Sequence, residues 1–348
     1  MDPLTHVLTG AVLARTGFNR RAAYATLAMA VAAEFPDIDT LWSVAGPLRS
    51  FEHHRGITHT FAGIPFEAAL ITGLFYAFHR LRTRPETKAP PRWLELFAFC
   101  LLALLSHLLL DWTNNYGLRP FAPFNPHWYA GSFVFIIEPI LLLLLGGALV
   151  LPALFSLINS EVGERRKRFP GRGFAMAALL GIAALWMLRF HEHTVAINMA
   201  SQDQPQALRV EANPEPLNPF AWQVMVDTPD AYHLANWNTR TGVAETPEPS
   251  DTLVKPLSSV PMLAAKRSDL GRVYLDWSSW PVLSEAQDNS DPAHPLSVVT
   301  FADARFYHIH VLGRDLRKPA LSGSVTLDMQ APEGQRVVEQ TMDGKVQK

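Results

Sequence analysis

Long apolar segments alternate with short polar ones through the first 190 residues, whereas the rest of the chain has mixed polarity. Four of these segments are long enough to cross a membrane, which takes about 20 predominantly apolar residues. They run from Phe61 to His79, from Trp93 to Trp112, from Phe133 to Ile158 and from Gly173 to Phe190. The pattern predicts about four membrane-spanning helices.

Two shorter apolar segments precede these spans, from Thr5 to Thr16 and from Ala22 to Glu34. Each is too short to cross a membrane fully, so together they predict a helical hairpin packed among the spans. A signal peptide is the alternative, with Arg20-Arg21 as its basic region and the small residues of 30–33 as its cleavage site. We reject this alternative because the basic pair comes late and an apolar helical segment precedes it.

After residue 190 the pattern changes to strand-like alternation interrupted by Pro, Gly, Asn and Asp. Trp222–Val226, Arg272–Trp277 and Arg305–Val311 are predicted strands, and a frayed tail is predicted from Ala331 onwards. The predicted fold is therefore a membrane α-helical bundle of about four spanning helices and an N-terminal hairpin, in a domain of residues 1–190. A small β-rich soluble domain, 191–348, follows it.

The distribution of basic residues predicts the orientation of the spans. The loop 80–92 contains five Lys or Arg residues and the loop 159–172 contains another five, whereas the loop 113–132 has only Arg119. Basic loops stay on the cytoplasmic side of a membrane. The segment before Phe61, the loop after Asp111 and the β-rich domain are then expected on the outer side, which is the periplasm for a bacterial inner membrane.

This topology brings several histidines and aspartates to one membrane face. Ionisable side chains near hydrocarbon are costly, and they commonly mark functional sites. Unrelated structural residues would be scattered over both faces, so their convergence favours one shared site. The residues are His6, Asp37, Asp39, His53, His54, His59, His107 and Asp111.

Local spacing indicates how these side chains could meet. His107 and Asp111 are four residues apart, so both lie on one face of a helix. Asp37 and Asp39 flank a single residue, and in an extended segment they would point the same way. His54 and His59 are five residues apart with a glycine between them, a spacing that suits a turn with both rings directed inward.

Composition restricts the chemistry of such a site. The formal net charge is −2 and no basic stripe with interleaved aromatics is present, so a nucleic-acid partner is not expected. The single cysteine, Cys100, excludes intrachain disulfides and cysteine cages for metals. Histidine and carboxylate ligands suit zinc, with manganese or iron as alternatives. His308 and His310 share a strand face, but surface histidines are the preferred interpretation there.

Structural roles compete with the metal site for each residue. His6 could cap a helix or lie at the membrane interface, and Asp37 and Asp39 could end the hairpin. Arg55 could serve only as a counter-ion to the aspartates. His107 and Asp111 could form a polar contact between spans. His53 is interpreted as a neighbour of the site and not as a ligand.

An ordered set of motifs resembles a known family. The motifs are Thr5-His6-x-x-x-Gly10, Pro36-Asp37-Ile38-Asp39, His54-Arg55-Gly56-x-Thr58-His59, His107-x-x-x-Asp111-x-x-Asn114-x-Tyr116-Gly117, Arg119-Pro120-Phe121, Trp128 and Glu138-Pro139. Over about 140 residues they resemble the membrane-bound, metal-dependent hydrolases known as LexA-binding, inner-membrane-associated hydrolases. More distantly, the helical core resembles zinc-dependent phospholipase C and P1-type nucleases. The resemblance implies His6, Asp37, Asp39, His54, His59, His107 and Asp111 as metal ligands, with Glu138 as a further site residue.

The sequence therefore predicts a metal-dependent hydrolase in the membrane. Signatures of other hydrolases, such as a Gly-x-Ser-x-Gly elbow or a His-Glu-x-x-His helix, are missing. A divalent ion would activate a water molecule for attack, and Arg55 or a second ion would stabilise the charge that develops on the substrate. Asp39, Arg55 and Glu138 are the predicted catalytic residues. Membrane lipids are the expected surroundings, and lipid phosphoesters are the first candidates as substrates.

Two other classes of function remain open. A transporter or metal-handling protein could use the same residues, but it would need polar side chains along the spans, and Glu67 and Glu138 are the main ones found there. A non-catalytic membrane anchor could present the β-rich domain to a partner. A complete set of metal ligands argues against the anchor.

Overall fold

The computed structural model describes residues 1–82, 87, 89–161, 169–245, 248–288, 295–307, 309–311, 314–316 and 319–347. The chain forms two compact units. The first, here called the helical unit, consists of Met1–Asp39 and Arg55–His191, and the second, the sheet unit, consists of Thr40–His54 and Glu192–Lys348. The sequence placed all of 1–190 in one domain, whereas Thr40–His54 packs with the C-terminal part of the chain.

The helices match the predicted apolar segments closely at the N-terminus. They are α1 (Pro3–Arg15), α2 (Ala25–Glu34), α3 (Pro47–His53), α4 (Ile64–Leu81), α5 (Trp93–Thr113), α6 (Pro139–Glu161), α7 (Arg172–Asp203), α8 (Val260–Arg267) and α9 (Asp269–Trp277). The predicted N-terminal hairpin is formed by α1 and α2. Asp2 starts α1 by accepting the Thr5 backbone N–H, and proline at the first helical position needs no such partner.

The hairpin is tightly closed at Gly10. A Cβ atom at this position would lie 2.2 Å from the carbonyl oxygen of Met29 in α2, so no larger residue fits without moving the helices. Ala28, Ala32 and Ala33 continue this contact surface of small side chains and are fully buried. Close packing of this kind holds the C-terminal end of α2 in place beside α5.

Three helices are long and apolar enough to cross a membrane, namely α5, α6 over Pro139–Leu157, and α7. The predicted first span is less simple, because α4 passes the same criterion only together with the preceding Pro47–His59, across a sharp bend. Within the described part of the chain there are thus three or four candidate spans. Residues 83–86, 88 and 162–168 of the two basic loops lie outside the described residues.

The boundaries of the last two spans differ from prediction. Helix α6 begins at Pro139 and not at Phe133, because proline is accommodated best in the first helical turn. Helix α7 is 32 residues long and continues past Phe190 to Asp203. The polar residues His191, Glu192 and His193 consequently lie within this helix.

The sheet unit is built from short antiparallel strands. They are β1 (Arg209–Pro214), β2 (Ala221–Asp227), β3 (Ala231–Asn238), β4 (Val243–Ala244), β5 (Thr252–Val254), β6 (Pro281–Asp288), β7 (Leu296–Asp303), β8 (Ile309–Val311), β9 (Arg314–Leu316), β10 (Gly323–Leu327), β11 (Val337–Met342) and β12 (Lys345–Val346). One sheet has the order β1-β2-β3-β4, with β5 also paired to β3, and a second has the order β12-β11-β10-β7-β6. Strands β8 and β9 pair separately. The predicted β-rich region is confirmed.

Two of the expected elements in this unit were wrong. The predicted strand Arg272–Trp277 is part of helix α9, where Ser268 caps the helix and the buried Leu270, Tyr274 and Trp277 recur at helical spacing. The predicted tail after Ala331 instead contributes β11 and β12 to the second sheet.

The third predicted strand is interrupted. Residues Ala304–Phe306 form a short 3-10 helix, and only Ile309–Val311 are extended. His308 lies outside the described residues, as does the side chain of His310. The interpretation of these two histidines as surface residues therefore stays a prediction.

A buried ion pair ends β7. Arg305 donates from Nε to Asp303 Oδ1 and from Nη2 to Oδ2, each at 2.9 Å. The Ser278 hydroxyl and the Trp280 N–H also donate to Oδ2, at 2.5 Å and 3.2 Å. Burial alone would raise the pKa of Asp303, but the Arg305 guanidinium and these hydrogen bonds hold it below its ordinary value.

Candidate metal site

Four potential ligand atoms meet in the helical unit. They belong to Asp37, His59, His107 and Asp111 and lie within 4.8 Å of one another. The two histidines and Asp111 are fully buried, whereas the side chain of Asp37 is 15% exposed. Among the four residues, solvent therefore reaches only Asp37.

The end of α2 orients His107. Its Nδ1 lies 2.7 Å from the carbonyl oxygen of Ala33, which is in the last turn of α2, where carbonyls have no partner within the helix. A carbonyl only accepts hydrogen bonds, so Nδ1 carries the hydrogen and Nε2 of the neutral ring presents a lone pair. That lone pair points into the group of four.

His59 is oriented in a similar way by a carboxylate. Its Nδ1 lies 3.3 Å from Asp39 Oδ2, while its Nε2 lies 3.3 Å from Asp37 Oδ1. The predicted extended conformation of these aspartates was wrong, because Phe35–Ala45 is a 3-10 helix. With about three residues per turn, aspartates two apart point in different directions and can approach opposite nitrogens of one ring. Carboxylates on the remote nitrogen are typical of metal-bound histidines.

The distances fit a tetrahedral site. The two Nε2 atoms are 3.0 Å apart, and Asp111 Oδ2 lies 3.5 Å from each of them. Asp37 Oδ1 lies 3.8 Å from His107 Nε2. Metal–ligand bonds of about 2.0–2.1 Å in a tetrahedron place the ligands roughly 3.3–3.4 Å from one another. The distances from the two Nε2 atoms, 3.0 to 3.8 Å, are close to that spacing.

Asp111 Oδ2 supplies a second indication. It is buried and accepts no hydrogen bond, although an unsatisfied buried carboxylate oxygen is costly. The carboxylate groups of Asp37 and Asp111 would also repel each other without a positive charge between them. A divalent metal ion would satisfy all four atoms, so this group could hold one.

Arg55 neutralises the other side of Asp111. Its Nη2 lies 2.8 Å from Asp111 Oδ1, and its Nη1 donates to the Gly117 carbonyl at 2.8 Å. The α-amino group of Met1 contacts the same Oδ1 atom. Arg55 has a φ of 53°, a strained value for a residue with a side chain, and its N–H donates to Asp39 at 2.7 Å. The Arg55 guanidinium is thus paired with Asp111, whereas the counter-ion role considered from the sequence concerned Asp37 and Asp39, and its predicted catalytic role stays a prediction.

His6 lies beside the four residues without being one of them. Its ring stacks on His107 at 3.8 Å, and its Nε2 is 3.4 Å from Asp111 Oδ1. Both ring nitrogens are buried without a hydrogen bond. Burial, aided by the neighbouring His107, lowers the pKa of His6 to about 3, so its ring is neutral at physiological pH.

The remaining predicted residues lie elsewhere. His54 follows the end of α3 and belongs to the sheet unit, and it is not among the four. His53 stacks on Trp42 at 4.0 Å, as expected for a residue that is not a ligand. Glu138 forms a fully buried ion pair with Arg189, with 2.6 Å between Oε2 and Nη2. Its predicted catalytic role has no support from this geometry.

Sequence reasoning missed Glu34 and gave Glu67 no role at the site. Glu34 ends α2, and burial together with the nearby charge of Asp37 raises its pKa to about 7. Glu67 is buried in the first turn of α4, and its Oε2 has no hydrogen bond. The available signal was an isolated acidic residue in an otherwise apolar segment.

Comparison with known families places this site in context. The profile of the family described as YdjM inner membrane protein matches residues 1–195, which include all four grouped residues. The chain belongs to that family. Membership in the YdjM family confirms an inner membrane protein, as predicted, and says nothing about a reaction.

A relative of this YdjM family member is the uncharacterized protein YfhP of Bacillus subtilis. The two are 28% identical over 147 residues, which is 40% of this chain and 42% of the relative. The match thus spans less than half of either protein. No solved structure matches the chain.

Proposed function

We propose that this protein is a membrane-embedded, metal-dependent hydrolase that acts on phosphoesters, with lipid-like molecules as the first candidates. One observation carries the proposal. The Nε2 atoms of His59 and His107 are held 3.0 Å apart, beside a buried carboxylate oxygen of Asp111 that accepts no hydrogen bond. Such an arrangement is unfavourable by itself and becomes favourable around a divalent cation.

A bound divalent ion would polarise a phosphoryl oxygen and make a water molecule acidic enough to attack as hydroxide at neutral pH. In this hydrolysis an oxygen from water forms a new bond to phosphorus, the bond from phosphorus to the alcohol oxygen breaks, and the alcohol leaves with a proton. Asp37 borders the solvent-accessible side and is the group nearest to an entering substrate.

The remaining residues have positioning roles in this mechanism. Asp39 fixes the tautomer and orientation of His59 through Nδ1. Arg55 holds Asp111 through Oδ1, so that Oδ2 remains directed towards the two histidines. Because Arg55 is 3% exposed and bound to Asp111 and Gly117, it supports the site instead of contacting substrate.

We further propose that the site and the sheet unit are on the outer side of the membrane. The excess of basic residues in the loops 80–92 and 159–172 supports this orientation. A reporter that is active only outside the cytoplasm should work when fused after Asp230 and fail when fused within 80–92. The opposite result would place the site on the cytoplasmic side.

Metal analysis combined with hydrolysis assays tests the enzymatic proposal. Detergent-purified protein should contain a divalent metal and release phosphorylated products from phospholipids or generic phosphoesters. His107→Ala should lose both metal and activity. His127→Ala is the matched control, since His127 is exposed and outside the site. Full metal content in His107→Ala would contradict the site, and metal-loaded protein inactive on every phosphoester would contradict the reaction.

A further inference from the structure

A second feature of the helical unit is a cavity of about 370 Å³. Its size lies in the range of roughly 300–1,000 Å³ that is typical of small-molecule sites. The lining is almost entirely apolar and aromatic, with Phe61, Leu105, Leu109, Trp112, Phe121 and Tyr129 among the side chains. Tyr129, which brings a hydroxyl group, receives a hydrogen bond from Asn125 at 3.3 Å. The cavity therefore has few hydrogen-bonding groups for water and is suited to a hydrocarbon ligand.

The cavity and the candidate metal site share the same two turns of α5. His107 and Asp111 lie on the buried face of this helix and are fully buried. Leu105 and Leu109 bracket His107 along the axis but lie on a different face, 42% and 49% exposed. Since an α-helix is about 10 Å wide with its side chains, the two features are separated by no more than the width of one helix.

Short connecting segments also join the two features. Phe61 lines the cavity two residues after His59, and its N–H donates to the Pro120 carbonyl at 2.9 Å. Leu118 lines the cavity immediately after Gly117, whose carbonyl accepts a hydrogen bond from Arg55. The backbone that shapes the cavity is thus continuous with the backbone that positions the metal ligands.

The position of the cavity identifies its occupant. Helix α5 is a candidate membrane span, and the exposed Leu102, Leu105 and Leu109 form one stripe along it. This stripe leads to the cavity near the C-terminal end of the span, where the aromatic side chains lie. Aromatic residues are common where the hydrocarbon of a membrane meets its polar surface. An apolar cavity that continues a lipid-facing stripe at this level would be filled by a lipid chain.

We propose that this cavity is the acyl-chain subsite of the enzyme, and that the substrate is a long-chain lipid phosphoester. The chain would lie against Leu105 and Leu109 while the phosphoester reaches the metal site past the end of α5. This inference rests on the proposed hydrolase function for the reaction, but binding of the lipid chain does not require the metal.

A binding experiment tests the subsite separately from catalysis. Dioleoylphosphatidylglycerol binding to chelator-treated, full-length protein in detergent would be measured by native mass spectrometry. Leu109→Trp fills the cavity and should weaken binding about tenfold, which corresponds to the loss of roughly two buried methylene groups. Leu105→Trp is the second filling variant. Leu102→Trp is the control, because Leu102 belongs to the same stripe but does not line the cavity.

Metal-loaded protein then connects the subsite to the reaction. Leu109→Trp should raise KM about tenfold more for dioleoylphosphatidylglycerol than for the dibutyroyl analogue, because a short chain does not fill the cavity. Equal binding by both filling variants and the control would overturn the subsite. Loss of a dimer in Leu109→Trp would also overturn it, since a second copy would then be the occupant. Chain-selective binding without any hydrolysis would support the subsite and contradict the proposed function.

Discussion

Asp111 in the helical unit and Asp303 in the sheet unit are both completely buried, but their surroundings differ. Both oxygens of Asp303 accept hydrogen bonds, from Arg305, Ser278 and the Trp280 N–H. Asp111 is satisfied on one side only. Its Oδ1 contacts Arg55, whereas its Oδ2 faces two imidazole nitrogens at 3.5 Å and accepts no hydrogen bond.

This difference supports the proposal that Asp111 binds a metal ion, whereas Asp303 has a structural role. A buried charge is tolerated when its hydrogen bonds are complete, and Asp303 with Arg305 meets this condition. At Asp111 the incomplete side is the side on which His59 and His107 converge. Burial alone does not point to a functional carboxylate, but burial with one unsatisfied oxygen beside two histidine nitrogens makes Asp111 the candidate.

The largest expected effect on stability is at Asp303. Asp303→Ala leaves Arg305 buried without its partner and should destabilise the sheet unit by about 3–5 kcal/mol. Hydrogen exchange of the β7 amides in the full chain would measure this change. Metal content should stay at the wild-type level. A loss of metal in this variant would contradict the distinction between the two carboxylates.

Acid should act on the same ion pair in the wild-type protein. The pKa of Asp303 is lower in the folded protein than in the unfolded chain. Its stabilising contribution is therefore complete above the unfolded pKa, about 3.9, and is lost as the pH falls through the folded value. Hydrogen exchange of β7 followed from pH 6 downwards should show protection that decreases only in strong acid. Loss of protection already near pH 6 would exclude this pair as the cause.

Asp111→Asn should affect metal binding before stability. The amide oxygen can still accept a hydrogen bond from Arg55, but the negative charge is lost. Structural zinc sites bind with about 10–16 kcal/mol shared among four ligands, so loss of one ligand should weaken binding on the order of a hundredfold. Competition with a metallochromic chelator would measure the affinity. Wild-type affinity in this variant would remove Asp111 from the site.

Asp39→Asn should have a smaller effect on metal affinity, because Asp39 supports His59 and is not itself one of the four grouped residues. Residues of this kind typically contribute about 10–100-fold to metal affinity or activity. We expect stable, membrane-inserted protein with about tenfold weaker metal binding and little hydrolytic activity. Wild-type turnover would show that the orientation of His59 does not depend on Asp39.

The smallest effect is expected at the surface pair of Asp269 and Arg272, whose side chains are more than half exposed. Asp269→Asn should change stability by no more than about 1 kcal/mol, since solvent screens exposed ion pairs. Hydrogen exchange of α9 would serve as the readout. A change as large as that of Asp303→Ala would mean that the measurement reports general disruption of the unit.

Hydropathy and topology predicted much of the helical unit. The apolar segments became helices, and the orientation rule placed Asp37, His59, His107 and Asp111 on one face, where the structure brings them together. Spacing did not determine which residues of the motif meet. His54 and His59 belong to one motif, but the chain crosses from one compact unit to the other between them.

The sheet unit was harder to predict because distant contacts decide its local structure. The residues from 272 to 277 include Val, Tyr and Trp, which favour strands. They form a helix whose Tyr274 and Trp277 pack against Phe51, at ring distances of 5.7 Å and 5.1 Å. Because Phe51 is more than 200 residues away, the residues around 272–277 do not indicate this contact.

The assignment of Thr40–His54 to the sheet unit affects the conformational entropy of forming the site. The chain leaves the helical unit after Asp39 and returns at Arg55, and the Arg55 N–H donates to Asp39 across the two ends. Closing a flexible loop of this length costs conformational entropy that grows with the logarithm of its length. Packing of Leu48 and Phe51 within the sheet unit already restricts the loop. The sheet unit therefore lowers the entropy that the helical unit must lose to bring Asp39 and Arg55 together.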